Sequence, residues 1–304
     1  MSRRLPGVVA AVTCLALLLV GCSPGSTTAT SSTTGAAGSG AAGSSAAGSS
    51  ASISPGTSSS SKAATSSSAA EAAPPATAAA AGPLTVFAAA SLKAAFTQIG
   101  ALFQTENPGS TVTFNFAGSA DLVSQLIAGA PADVFASADT NNMTKATTAN
   151  LVAGTPVNFA SNIQTIVTPP GNPAGISSFA DLAEPGRAVV VCAPQVPCGT
   201  AAATIEKNTG VTLTPVSEEN SVTDVLGKVT SGQADAGLVY VTDAKNAGGK
   251  VDEIDFPEAA VVVNTYPIAT LAAGRSAPAT TFVELVTGPE GQQVLAAAGF
   301  KPAP

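Results

Sequence analysis

From residue 84 to the end of the chain, apolar side chains recur with two alternating periods: the unbroken or every-second spacing of strands, and the three-to-four spacing of one helical face. An apolar run over 84–90 predicts a first strand, after which Leu92, Ala95, Phe96, Ile99, Leu102 and Phe103 fall on one side of a helix. Ser91 stands between the two, placed to cap that helix. The pattern repeats downstream. Val112, Phe114 and Phe116 alternate over 111–116, the turn Ala117, Gly118, Ser119 follows, and Leu122, Val123, Leu126 and Ile127 make the next helical face, with Ser119 as a second candidate cap. Further strands are predicted at 132–137, 188–192 and 236–241, the last carrying Tyr240. The strand at 188–192 runs through a cysteine loop into Gly199, Thr200 and an Ala-rich helix that ends near Gly210, so Cys198 sits at a helix start. Ser221 precedes Val222, Val225, Leu226 and Val229, one face of a helix whose first turn holds the amide of Val222. Strands alternating with helices predict an α/β fold whose sheets are largely parallel and covered on both faces.

The first 83 residues read differently. Arg3 and Arg4 precede an apolar run over 8–20, shorter than the ~20 residues of a membrane-spanning helix, which ends Leu19, Val20, Gly21, Cys22. This predicts a signal peptide over 1–21, and the closing tetrapeptide resembles a bacterial lipobox, making Cys22 the lipidated residue and the new N-terminus. Pro6 stands where apolar residues should follow the arginines, which favours the general secretory route over the twin-arginine route. Residues 22–83 are almost wholly Ser, Thr, Ala, Gly and Pro, with Lys62 and Glu71 as their charges. Such a segment has nothing with which to form a core and is expected to be a disordered tether.

Composition narrows the chemistry of the remaining 221 residues, enough for one large or two modest α/β domains. Without Arg3 and Arg4 the twelve basic residues fall to ten against nineteen acidic ones, a net charge of about −9, which speaks against nucleic acid as a partner. The chain has no histidine, which excludes imidazole metal sites and every catalytic triad built on an imidazole base. Cys14 leaves with the signal and Cys22 takes the lipid. Cys192 and Cys198 remain in an oxidising compartment and are expected to pair as a disulfide, the alternative being a soft-metal site of two thiolates. The helix starts near Ser91, Ser119, Cys198 and Val222 each offer free amides without a cationic side chain. Any one alone is an ordinary helix end; converging, they would form an uncharged cage for an oxyanion.

Four segments carry a resemblance: Leu-Thr-Val-Phe-Ala-Ala-Ala-Ser-Leu at 84–92, Gly-Ala-Pro-Ala-Asp-Val-Phe-Ala-Ser-Ala-Asp at 129–139, Gly-Leu-Val-Tyr at 237–240, and Gly-Pro-Glu-Gly with Ala-Gly-Phe between 288 and 300. Together they resemble the periplasmic molybdate-binding proteins of ABC transporters, over essentially all of 84–304. The resemblance implies a two-lobed type II periplasmic-binding-protein fold with hinge strands, lobe 1 spanning 84–165 plus 265–304 and lobe 2 spanning 166–264. It implies a tetrahedral oxyanion held by the hydroxyls of Ser91 and Ser119, the amides of Cys198 and Val222, and Tyr240, with no catalytic residue, no cofactor and no directly coordinated metal cation. It also implies an extracytoplasmic monomer, tied to the cell membrane only by its lipid, that closes on molybdate or tungstate and hands it to an ABC transporter permease. Two positions depart from the family: Cys198 stands where a small residue is common, and the turn at 117–120 is poorer in serine. Because the donor at 198 is an amide, the side chain matters little provided the loop is held similarly.

Neutral donors without an acceptor favour a fully deprotonated dianion, since a protonated one would leave a hydrogen unpaired. Molybdate, tungstate and sulfate all satisfy that condition, so a receptor for sulfate or another oxyanion stays open. A serine/lysine enzyme using Ser91 and Lys93 is disfavoured, because helical residues two apart face different directions. A lipoprotein that keeps the fold for adhesion or sensing is the third alternative.

Overall fold

The computed structural model describes residues 81–304; the predicted signal peptide, Cys22 and the tether to residue 80 lie outside the described residues. The chain first lays down β1 (Pro83–Ala89), a 3-10 turn Ala90–Leu92, α1 (Lys93–Glu106), β2 (Thr111–Ala117), α2 (Ser119–Ile127), β3 (Val134–Ala136), α3 (Thr140–Thr148) and β4 (Val152–Asn162). It then builds β5 (Gln164–Thr168), β6 (Val189–Cys192), α4 (Pro197–Thr209), β7 (Ser217–Glu219), α5 (Val222–Thr230), β8 (Ala236–Tyr240), α6 (Val241–Ala247) and β9 (Asp252–Ile254). Finally it returns through β10 (Asn264–Leu271), α7 (Ser276–Thr287) and α8 (Pro289–Ala298).

These strands form two five-stranded sheets, ordered β2-β1-β3-β10-β4 and β7-β6-β8-β5-β9. In the first, β1 runs parallel to β2 and β3 while β10 runs antiparallel to β3 and β4. In the second, β6 runs parallel to β7 and β8 while β5 runs antiparallel to β8 and β9. The sheets are therefore mixed rather than largely parallel. The antiparallel members β10 and β5 are the strands on which the chain arrives from the other sheet, so they carry no helical crossover to enforce parallel pairing. The chain passes between the sheets in two stretches, 159–168 and 254–271. The first is two strands in different sheets, interrupted at Ile163, and the second holds the 3-10 turn Pro257–Val261 before β10.

Each sheet is covered on both faces, as side-chain alternation along a strand requires. On the first, Leu84, Val86 and Ala88 face a core with Phe96, Phe103 and Phe282, whereas Phe87 faces Leu122, Phe135 and Met143. On the second, Val190 and Val239 pack against Val222, Val225 and Val229, while Val189 and Leu238 pack with Ile205 and Phe179. Asp133, within the 129–139 segment, has a structural role: buried, it accepts the amides of Thr85 at 2.7 Å and Arg275 at 2.6 Å and pairs with the Arg275 guanidinium at 3.2 Å. It thus ties β1 to the turn before α7. Among the described residues no helix is long and apolar enough to cross a membrane.

Candidate functional site

In each sheet three parallel strands end in loops that open helices, and all six loops reach one cavity. From the first sheet come Ser91 after β1, Gly118 and Ser119 after β2, and Ala138 after β3; from the second come Val196, Pro197 and Cys198 after β6, Val222 after β7, and Tyr240 at the end of β8. The cavity has a volume of about 200 Å³, counting the space at its mouth, and none of its lining residues is charged. All five positions that the sequence singles out as oxyanion donors, Ser91, Ser119, Cys198, Val222 and Tyr240, line it together. Carboxyl ends of parallel strands are where α/β sheets place ligands, because the helices that follow present unpaired first-turn amides there.

The local chemistry differs from the sequence reading at both serines. Ser91 does not cap α1; it lies inside the 3-10 turn, and its hydroxyl stands 3.0 Å from the hydroxyl of Tyr266. Ser119 is the first residue of α2 rather than its cap, which is Gly118, and its Oγ accepts the amide of Ala138 at 3.0 Å. Both helices close on the strand without a side-chain cap, so both hydroxyls are turned to other partners. Val222 follows the sequence reading, at the first position of α5 with Ser221 as the cap accepting the amide of Asp224. Cys198 is the second residue of α4; Pro197 before it has no amide hydrogen, so the amide of Cys198 is the first that this helix can offer.

Cys192 and Cys198 form a disulfide with a Cα separation of 5.6 Å, which removes the soft-metal alternative for this pair. The bridge closes the 193–197 loop against the end of β6, and Gln164 Nε2 donates to the Cys198 carbonyl at 2.8 Å, so the start of α4 is held on two sides. Gly199 belongs to the same construction, since a β-carbon there would overlap the carbonyl oxygen of Ala193.

Tyr240 is 1 % exposed, and its hydroxyl has no hydrogen-bond partner among the described residues. A buried phenol without a partner costs roughly 1–3 kcal/mol, and its place on the cavity wall supplies the reason to keep it. Burial pushes its pKa well above the ordinary value, with Tyr266, Asp139 and Asp243 adding to the shift, so it is a neutral donor. Two carboxyls lie just behind the wall. Asp139, the cap of α3, is raised by burial against the hydrogen bonds of Asn142 and Ser137. Asp243 is fully buried and pushed up to about 7, although the amide of Tyr240 donates to it at 3.2 Å.

The arrangement offers two hydroxyls, a phenol and first-turn amides to one small space, with contributions from both sheets. A helix N-terminus favours an anion by roughly 0.3–1 kcal/mol when exposed, and more when dry. Lys93 is exposed and is absent from this cavity, and Ser91 has a phenol rather than an amine beside it, so the pair lacks the geometry of a nucleophile and its base. Two neighbours of the site are not marked by the sequence pattern: Tyr266, one of two tyrosines in the chain, whose hydroxyl meets Ser91, and Gly118, which lines the cavity beside Ser119.

Residues 84–301 match the model of a family described as bacterial extracellular solute-binding protein. The chain belongs to that family. Molybdate-binding protein ModA of Mycobacterium tuberculosis is 57% identical over 215 residues, a match covering 70% of this chain and 82% of that protein. Among solved structures, a periplasmic molybdate-binding protein of Azotobacter vinelandii superposes with a TM-score of 0.64 at 23% identity, covering 73% of this chain and 100% of that one. The sulfate-binding protein SubI of Mycobacterium tuberculosis superposes with the same TM-score of 0.64 at 21% identity, covering 72% and 86%. At these identities the two structures show the fold of this solute-binding protein, and the fold is common to receptors of both anions.

Proposed function

We propose that this solute-binding protein captures molybdate, with tungstate as a second ligand, and delivers it to the permease of an ABC transporter. The observation that carries the reading is the convergence of Ser91, Ser119, Cys198, Val222 and Tyr240 on one uncharged cavity drawn from both sheets. Its hydroxyls and amides suit a tetrahedral dianion, and the unpartnered phenol of Tyr240 asks for an acceptor. High identity to a molybdate-binding protein supports molybdate over sulfate.

Lobe 1 is assigned to 84–165 plus 265–304 and lobe 2 to 166–264. The sheets change over at Ile163 and again between Ile254 and Asn264, and these two connections are the hinge. A ligand held by Ser91 and Ser119 on one side and by Cys198, Val222 and Tyr240 on the other favours the closed form by its differential affinity. The closed form is the signal that the permease reads. The tetrapeptide ending at Cys22 supports export and lipid attachment, with the Ser-rich segment holding a monomeric receptor off the membrane surface.

Titration calorimetry of the exported protein with molybdate, tungstate, sulfate and phosphate tests the reading. Molybdate and tungstate are expected to bind tightest; a preference for sulfate would make this a sulfate receptor, and silence from all four would overturn the oxyanion reading.

A further inference from the structure

An asparagine stands at each of the two places where the chain crosses between the sheets: Asn162 ends β4 and Asn264 opens β10. The two lie directly opposite each other in the antiparallel register of those strands, both are buried, and neither lines the anion cavity. Their side chains nonetheless reach the loops that form it. Asn264 Nδ2 donates to the carbonyl of Ala138 at 3.0 Å, and the amide of Ala138 in turn donates to Ser119 Oγ at 3.0 Å. Asn162 Nδ2 donates to Thr242 Oγ1 at 2.8 Å, while the carbonyl of Ile163 beside it accepts the amide of Val241 at 3.1 Å. Val241 and Thr242 are the two residues that follow Tyr240.

The direction of each bond is fixed by its backbone partner. A carbonyl only accepts, so the Asn264 atom that faces Ala138 is the nitrogen. A backbone amide only donates, and that of Ile163 gives its hydrogen to Asn162 at 3.0 Å, so Oδ1 stands there and the nitrogen is the atom that faces Thr242. Gln164, two residues further on, repeats the arrangement with its Nε2 on the Cys198 carbonyl. We infer that Asn162 and Asn264 are positioning residues, which from the two crossing points hold the Tyr240 phenol and the Ser119 hydroxyl where one anion can meet both. The inference rests on the oxyanion reading above and adds to it that the crossings and the donors form one construction. Ser119 belongs to the first sheet and Tyr240 to the second, so each asparagine serves the donor of one half. Hydrogen bonds weaken steeply as distance and angle depart from their best values, and a donor already held in place loses less freedom when the ligand arrives.

Double-mutant cycles on molybdate affinity, read by calorimetry, separate positioning from a general structural role. Asn264→Ala and Asn162→Ala are each expected to weaken binding about tenfold. In a Ser119→Ala background Asn264→Ala should cost roughly twofold or less, because the hydroxyl it positions is gone, whereas Asn162→Ala keeps its full effect there. In a Tyr240→Phe background the pattern reverses: Asn162→Ala loses its effect and Asn264→Ala keeps it. Asn264→Leu and Asn162→Leu, which keep the shape of the side chain without its donor, enter the same cycles if either alanine variant fails to fold. Losses that add in all four combinations, or asparagine variants that bind as tightly as the wild type, would make these residues structural and overturn the inference alone. A wild-type protein that binds no molybdate would overturn the oxyanion reading and this inference with it.

Discussion

Gly118 and Asn220 touch backbone to backbone across the two sheets: a β-carbon at 118 would overlap the carbonyl oxygen of Asn220 and stand 3.5 Å from Val196 Cγ1. Its φ of −59° and ψ of 140° suit any residue, so the glycine answers to this close approach and not to backbone conformation. Gly118→Ala should leave each lobe folded but hold them apart. The expected result is an unchanged melting temperature, molybdate affinity lower by at least tenfold, and loss of ligand-induced compaction in small-angle scattering.

Ser119 Oγ accepts the amide of Ala138 behind the cavity wall, and in the proposed site its own hydrogen goes to the ligand. Ser119→Ala removes one charge-assisted bond to the ligand and leaves the buried amide of Ala138 without its acceptor. Calorimetry should show molybdate binding weaker by roughly 1.5–3 kcal/mol, with a smaller loss of thermal stability. Unchanged affinity would remove Ser119 from the site.

The Cys192–Cys198 bridge spans only six positions, so its effect on global stability is modest, roughly 2 kcal/mol from loop-closure entropy. Its effect on binding should be larger in proportion, because the loop it closes carries Pro197 and Cys198 into the cavity. A Cys192→Ala, Cys198→Ala double variant is expected to fold, to melt a few degrees lower, and to bind molybdate more weakly while keeping the amide at 198.

Burial raises Asp243 to about 7 from an ordinary value of 3.8, and Asp139 moves in the same direction. The folded state therefore holds protons that the unfolded chain has released between those limits, so stability falls as pH rises through that window and gains as pH drops toward it. The melting temperature should increase from pH 8 to pH 5.5, on the order of a few kcal/mol in stability, and Asp243→Asn should flatten most of that slope. A wild-type stability that is level across this range would contradict the burial of Asp243 as a costly charge.

Much of this was legible in residue order. Helical and strand periods located β1, α1, β2, α2, β6, α5 and β8 because each has one strongly apolar face, and the donors on the cavity wall follow from where those strands stop. The crossings were less legible: Ile163 separates strands of different sheets within one apolar stretch, and no local pattern marks a strand that changes sheets. The roles of Ser91 and Ser119 were misread as caps because a serine before a helix usually bonds its own backbone. Here tertiary partners, Tyr266 and Ala138, compete successfully for the hydroxyls. Such pairings join positions 175 and 19 residues apart and leave no local trace. Of the segment 129–139 that carried the resemblance, Ala138 lines the cavity, whereas the Asp133 carboxylate serves the β1 amide and Arg275.

The most direct test is a crystal of the protein grown with tungstate, read by anomalous scattering from the metal. A single strong peak between Ser91, Ser119 and Tyr240, within hydrogen-bonding reach of the amides of Cys198 and Val222, is the predicted outcome. A peak bound elsewhere, or an anion reached by lysine or arginine side chains in place of these groups, would contradict it.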